Sequence, residues 1–448
     1  MLVDMDTKKQ PSSVLSTEIS NESDGFIGQI EAFLREAVES LEPEFVEGSG
    51  GKAGRPRVLP GLCLWSGLLV CVLRGFNSQL ALWRLLTVQR LWSYPRFALS
   101  DQAIYKRLGN GGTAVLEQLF EQISALLSER LEPYKETQLA PFASEIMALD
   151  GMTLDKIARL LPALRQLLPG DSKLLPGKLA GLFDIRRQQW RRVQYVANPN
   201  ENDKVTAREM VSNLPKGSLI LADLGYFGFA WFDDLTDMRY WWLSRLRSKT
   251  SFVPIHTYFT NGSTFDGIVW LGKYRSDKAA YAVRLVQFQV GSKCYQYITN
   301  VHDPVLLPMT DIAKLYARRW DIELAFKLIK RHLNLHLLWS CKTTVILQQV
   351  WAVLIISQIL QALRMEIAGR AEVEPYDVSM QLLIEYLPIL AANGQDPIAV
   401  FIEYGRKARF IRPSSRLKTQ APTIPPDQFT PLPPGFILSR KPRYAGKT

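Results

Sequence analysis

Apolar residues recur at helical spacing through FIGQIEAFLREAVESL (26–41), with acidic residues on the opposite face, the pattern of an amphipathic helix. A glycine-rich hinge, EGSGGKAGRPRVLP (47–60), follows, and residues 58 to about 140 read as helices parted by short breaks. Within them SDQAIYKRL (100–108) opens on a serine suited to capping a helix and then turns basic. From residue 145 the period shortens. EIMALD, KLAGLFDI, WRRVQYVA and SLILAD predict short strands, with the helical pattern TAREMVSNL before the last of them, and YWWLSRL resumes strand character. A leucine- and proline-rich loop-helix segment occupies 150–178.

Residues 251–300 are strongly β-like, with FDGIVWLGKY, AAYAVRLVQFQV and KCYQYITNV punctuated by GS and RSD turns. A long helix is predicted from about Thr310 to Leu333 and a second, apolar one over about 345–366. The last forty residues are basic and proline-rich and predict an extended or disordered arm. The order is helices, then strands mixed with helices, then a β-rich block, then helices. That order suggests an insertion of strands before the last helix of an α/β segment.

Composition narrows the picture in two ways. A net charge of +11 leans toward a polyanionic partner, although composition alone would also fit a membrane-surface protein. Four cysteines without a CxxC pair and four scattered histidines suggest neither a disulfide framework nor a zinc site. The first residues, MLVDMDTKKQPSSVLSTEISNESDG, carry no apolar signal segment. VLPGLCLWSGLLVCVL (58–73) falls short of the roughly 20 apolar residues of a bilayer span, and VILQQVWAVLIISQILQAL carries four glutamines. Both read as core helices, so a cytoplasmic protein with no membrane partner is expected.

Candidate chemistry collects at three carboxylates. Asp150 ends the apolar run EIMAL and precedes Gly151; Asp223 ends SLILA, two residues before Gly225. In α/β sheets the carboxyl ends of strands open onto the crevice where ligands bind, yet an aspartate there also commonly caps a turn. The third is Glu323 in YARRWDIELAFKLIKR (316–331). At about 100° per residue, Tyr316, Arg319, Glu323, Lys327 and Lys330 share a sector of roughly 80°, beside an apolar stripe of Leu315, Ile322, Phe326, Ile329 and Leu333. Glu323 therefore has two readings: an ion pair with Arg319 and Lys327 four residues away, or a metal ligand among cations that hold phosphates. Three carboxylates are what a two-metal phosphoryl-transfer site requires, since hard divalent cations take few protein oxygens.

Tyr316, two residues, Arg319, three residues, Glu323, six residues, Lys330 resembles the Y-(2)-R-(3)-E-(6)-K signature of bacterial insertion-sequence transposases of the DDE type. ALDGMTL and LADLGYFGFAWF resemble the segments that carry that family's first and second aspartates, and the resemblance spans roughly 58–365. It implies an α/β chain with an RNase H-like catalytic core, an inserted β-rich subdomain and a preceding helical N-terminal domain. The expected layout is a tail (1–25), a helical DNA-binding domain (26–140), the first part of the core (141–250), the β-rich insertion (251–300), the last part of the core (301–370) and a helical segment with a basic proline-rich tail (371–448). Asp150, Asp223 and Glu323 would be catalytic and hold Mg²⁺, with Mn²⁺ able to substitute. Tyr316, Arg319 and Lys330 would contact DNA, at the element's terminal inverted repeats and at target DNA, in a homodimer on paired ends, and Lys327, on the same helix face, is expected to join them. By the same resemblance an insertion tryptophan would stack on a displaced base, and Trp270 is the one tryptophan in 251–300. Implied chemistry is cut-and-paste: cleavage, hairpin formation, reopening and strand transfer. A non-catalytic DNA-binding descendant and a metal nuclease of the same fold are the alternatives.

Further DNA contacts have two readings each. Arg55 and Arg57 in AGRPRV match an AT-hook core for the minor groove, or belong to a solvated hinge. SDQAIYKRL resembles the start of a recognition helix, or is a basic surface helix. The cluster from Arg406 to Lys418 adds nonspecific phosphate affinity, or is a solvated tail.

Overall fold

The computed structural model describes residues 26–41, 58–89, 91, 92, 94–154, 165–168, 177–274, 277–340, 342–414 and 420–443. The tail 1–25, the hinge with Arg55 and Arg57, most of 155–176, and Arg416 and Lys418 lie outside the described residues. Helices α1 (Phe26–Glu39), α2 (Gly61–Leu73), α3 (Gln79–Arg84), α4 (Asp101–Asn110) and α5 (Ala114–Arg130) come first. Ser100 stands at the N-cap position of α4, as its sequence suggests, but its hydroxyl makes no capping bond. Asp101 Oδ1 instead accepts the Gln102 N–H at 2.8 Å.

Then come β1 (Ile146–Thr153), β2 (Lys178–Asp184), β3 (Gln189–Val196), α6 (Asp203–Val211), β4 (Leu219–Ala222), α7 (Phe229–Asp237) and β5 (Trp241–Arg245). The β-rich block supplies β6 (Phe252–Asn261), β7 (Thr264–Leu271), β8 (Val283–Val290) and β9 (Lys293–Thr299). Among the described residues these nine strands form one sheet, in the order β3-β2-β1-β4-β5-β9-β8-β7-β6. β1, β4 and β5 run parallel, and every other neighbouring pair is antiparallel. The predicted insertion is therefore not a separate sheet: β9 pairs with β5 and carries the core sheet onward. β5 has a free side beyond β4, and strands inserted after it in sequence gain ladder hydrogen bonds by pairing there.

Period-two alternation sorts the strands onto two faces. Ile146 and Ala148 of β1, Leu219 and Leu221 of β4, and Leu243 of β5 pack into the core shared with the N-terminal helices. Met147, Leu149, Ile220, Ala222 and Trp242 face the other core, built with α6 and α7. The helices that follow are α8 (Met309–Arg318), α9 (Trp320–Lys327), α10 (Thr343–Arg370), α11 (Met380–Ala392) and α12 (Pro397–Glu403). The single helix predicted over Thr310–Leu333 is thus two, joined at Arg319 and ending in a π-helical turn at Leu328–His332. α8 and α9 lie on the first face, with Ile312, Leu315, Ile322, Phe326 and Ile329 in its core.

α10 is long and apolar enough to cross a membrane by length and composition, but its most apolar eighteen-residue window is 83% buried inside the protein. Its glutamines explain how so apolar a helix sits among polar neighbours. Gln348 donates to the carbonyls of Leu108, Gly111 and Gly112 at the C-terminus of α4 (3.0–3.2 Å). Gln358 accepts the Trp190 N–H at 2.8 Å and donates to the Trp190 carbonyl at 2.9 Å, beside the β2–β3 bulge. Each supplies partners to backbone groups that burial removes from water. The N-terminal helices and the sheet are thereby tied to one central rod.

Of the proline-rich arm, 420–443 lies along the strands of the β-rich block. The Ala282 and Arg440 amides bond the Leu438 and Ala280 carbonyls, both at 2.8 Å, and Phe429, Leu432 and Leu438 pack on Tyr258, Ile268 and Ala282.

Candidate active site

β1 and β4 are in register from Ile146↔Leu219 to Leu149↔Ala222, where β4 ends while β1 runs on to Thr153. Asp150 and Asp223 are the next residues, so the two carboxylates flank the point at which neighbouring parallel strands part. Both continue the odd or even series that faces the α8–α9 layer (146, 148, 150 and 219, 221, 223). This is the crevice at the carboxyl end of a parallel sheet. Asp223 Oδ1 also accepts the Gly225 N–H at 2.7 Å and caps the short turn Leu224–Tyr226. Asp150 Oδ1 accepts the Gly151 N–H at 2.8 Å.

Glu323 reaches this edge because of what α9 rests on. Gly181 of β2 is paired with Asp150, and a Cβ at Gly181 would come within 2.7 Å of the Trp190 ring and 3.1 Å of the Phe326 ring. Only glycine lets Trp190 and Phe326, 4.8 Å apart between ring centres, close over the strand and bring α9 against the sheet. The start of α9 is held by Asp321, fully buried, which accepts from Arg318 Nε and Gln188 Nε2 at 2.7 Å each. Gln188 accepts in turn from Tyr376 (2.8 Å) and Arg364 (3.2 Å). Sequence reasoning missed these supports. A glycine inside KLAGLFD and an arginine three residues before Asp321 were the available signals.

One guanidinium links two of the carboxylates. Arg319 donates from Nη2 to Glu323 Oε1 at 2.6 Å, and its Nη1 lies 3.9 Å from Asp150 Oδ2. The ion-pair reading of Glu323 and the shared-site reading are therefore both present in one arrangement. Arg319 is 5% exposed and Tyr316 7%. Tyr316 packs on Tyr297 with ring centres 5.0 Å apart, and burial pushes its phenol up to about 12. Lys327 is exposed and Lys330 half-buried in the π-helical turn. Trp270 on β7 is three strands from β5, and the Arg440 guanidinium lies 4.1 Å from its ring centre.

Burial, first, pushes the Asp150 carboxyl up to about 6, and the negative charges of Asp223 and Glu323 push the same way, while the Gly151 N–H and Arg319 oppose them. Three hard oxygen donors in mutual electrostatic reach, with one arginine between them, fit a divalent cation of the Mg²⁺ type by donor chemistry. Among the described residues no three such side chains stand close enough to share one ion. The raised value also bears on stability. Asp150 favours the folded state below its ordinary value near 3.8, and this contribution is lost as pH rises through about 6. Asp150→Asn is therefore expected to stabilise the protein by about 2 kcal/mol at pH 7.5 in chelator, with the gain vanishing near pH 4, as read by calorimetry.

The family model described as transposase DDE domain matches residues 178–359, which hold Asp223 and Glu323 and begin after Asp150. The chain is 23% identical over 361 residues to the transposase for insertion sequence element IS231F of Bacillus thuringiensis subsp. israelensis, covering 67% of this chain and 72% of that protein. It is 22% identical over 363 residues to the transposase for insertion sequence element IS231B of Bacillus thuringiensis subsp. berliner, covering 69% and 74%. Among solved structures it overlaps a piggyBac transposase synaptic complex with hairpin DNA at a TM-score of 0.43 and 8% identity, over 89% of this chain and 87% of that one.

Proposed function

This chain belongs to the bacterial insertion-sequence transposases of the DDE type, and from that premise we propose that it moves its element by cutting and joining DNA at the edge formed by Asp150, Asp223 and Glu323. The observation that carries the reading is the meeting of Asp150 and Asp223 where β1 and β4 part, with Glu323 tied to Asp150 through Arg319. The order β3-β2-β1-β4-β5, with the first three strands antiparallel and the last three parallel, supports an RNase H-like core.

In this reading the three carboxylates hold Mg²⁺, with Mn²⁺ able to substitute. When bound, such ions would supply activation of an oxygen nucleophile and stabilisation of the leaving oxygen in an in-line displacement. The protein's part is to position. Asp150 and Asp223 sit on a rigid sheet edge, and the buried Asp321–Arg318–Gln188 contacts fix the helix that carries Glu323. Water first cleaves one strand at the element end; the freed 3′ hydroxyl attacks the opposite strand and closes a hairpin. Water reopens it, and the 3′ ends then attack target DNA. Each step replaces one oxygen on phosphorus by another, so one site serves all four. Lys327 and Lys330 meet the DNA backbone, Arg319 is drawn toward a phosphate from its place beside Glu323, and Tyr316 lines the approach. The protein works as a homodimer on paired ends in the cytoplasm.

A supercoiled plasmid carrying the gene with its native flanks, incubated with the protein and Mg²⁺, tests this. Expected are excision at discrete ends and, on a denaturing gel, element strands of doubled length from closed hairpins before joined products appear. Ends that are open at every time point would overturn the hairpin step. DNA that is bound yet uncut in both Mg²⁺ and Mn²⁺ would overturn the catalytic reading.

A further inference from the structure

Positive charge collects around the turn that follows Asp223, and among the described residues no carboxylate is ion-paired with it. The turn after Asp223 is overlaid by Arg247, which follows β5: its Nη2 donates to the Leu224 carbonyl at 3.1 Å, and its guanidinium lies 4.9 Å from the centre of the Phe227 ring. Lys204, in the first turn of α6, approaches the same turn from the other core, its Nζ 3.0 Å from where a Cβ on Gly228 would stand. Arg245 precedes Arg247 by two residues on the strand end and is exposed, close enough to Tyr316 and Tyr297 to bear on both phenols. Among the described residues none of the three forms an ion pair, whereas Arg208 is held by Asp234 at 2.6 Å and Arg319 by Glu323. Burial, then Arg247 and Arg208, hold the Lys204 ammonium below its usual range.

Cations gathered without a counter-charge repel one another, and a half-buried lysine among them is costly unless an anion arrives. They stand at the turn that Asp223 caps, and a phosphate that joined them would lie beside Asp223. The turn itself presents the shape for it, since Arg247 is fixed by a carbonyl and an aromatic face rather than left to move. An arginine so anchored keeps part of its donor fork for a phosphate.

We infer that Lys204 and Arg247 clamp one backbone phosphate of the DNA strand that crosses the 224–228 turn, flanking the bond to be cut, with Arg245 continuing the row toward α8. This rests on the transposase reading for the identity of the polyanion. The clamp sets where the strand lies relative to Asp223, so both residues are positioning residues.

The test is the salt dependence of binding to short duplexes tiled across the DNA that flanks the gene, for the full chain and for Lys204→Gln, Arg247→Gln and the double variant. Each lost phosphate contact is expected to lower the slope of log K against log salt by about 0.9, and the double variant to lose about twice that. Cleavage at the element ends should fall more than binding does, while Lys204→Arg with Arg247→Lys keeps the slope. An unchanged slope and unchanged cleavage in the double glutamine variant would overturn the clamp. If the glutamine variants melt early, the charge-retaining pair decides: a slope lost there too refutes a charge clamp. Failure of the parent reading looks different, because the unsubstituted protein would then bind the duplexes and leave them whole, while the slopes still judge the clamp.

Discussion

Asp150→Asn, Asp223→Asn and Glu323→Gln are each expected to lower strand cleavage by about a thousandfold or more while leaving binding to the same DNA within a few-fold, quantified on denaturing gels beside a binding titration. The scale is that of removing one charge-stabilising group from a transition state. Each variant keeps the side chain's shape and removes one negative charge, so packing is preserved. The direction on stability separates this from a structural role. Asp150 sits buried beside two like charges, so its asparagine variant should melt no earlier than the parent while being catalytically dead. Pairs of these substitutions are expected to cost little more than single ones, because groups that act as a unit are far from additive. Arg319→Ala should differ from all three. It removes the one cation between Asp150 and Glu323, so it loses affinity for DNA as well as rate.

Much of this site was legible along the chain because its signals are local. The two aspartates end apolar runs that can only be buried strands, and the spacing around Glu323 is a property of one helix. What lay beyond reach depends on partners distant in sequence. Nothing near Asp321 says that Gln188 will meet it, or that Arg364 and Tyr376 will bind Gln188 in turn. The row of cations was missed for the same reason. Lys204 opens one helix while Arg245 and Arg247 close a strand some forty residues later, and only the tertiary fold brings them beside Asp223. The sector drawn for Tyr316 to Lys330 assumed a regular helix, whereas the chain is interrupted at Arg319 and widens into a π turn at Leu328–His332. With Tyr316 and Arg319 buried, the face offered to DNA is narrower than five residues. The β-rich block was read correctly as strands, but its alternation carries no information about which edge it joins.

Arg284→Met and Asp266→Leu, each alone, are expected to destabilise the protein by about 3–5 kcal/mol. Both side chains are fully buried, and they meet in a bidentate pair: Nε to Oδ1 at 2.7 Å and Nη2 to Oδ2 at 2.6 Å. Arg284 Nη1 donates onward to the carbonyls of Leu307 (2.7 Å) and Asp303 (3.3 Å), in the loop that leads into α8. The pair therefore joins β7 and β8 to the approach to Arg319 and Glu323. Removing one partner leaves the other charge stranded away from water, and that penalty dominates the lost attraction. For a chain of 448 residues a fall in melting temperature of about 3–5 °C is expected for either single variant. Replacing both together should recover much of it, since an apolar pair of similar volume needs no counter-charge. Recovery would nonetheless be incomplete if the Leu307 and Asp303 carbonyls count, because methionine cannot donate to them. Cleavage by the double variant then reads the second role directly: full stability with reduced rate means that Arg284 also sets the start of α8, and full recovery of both means that it serves the fold alone.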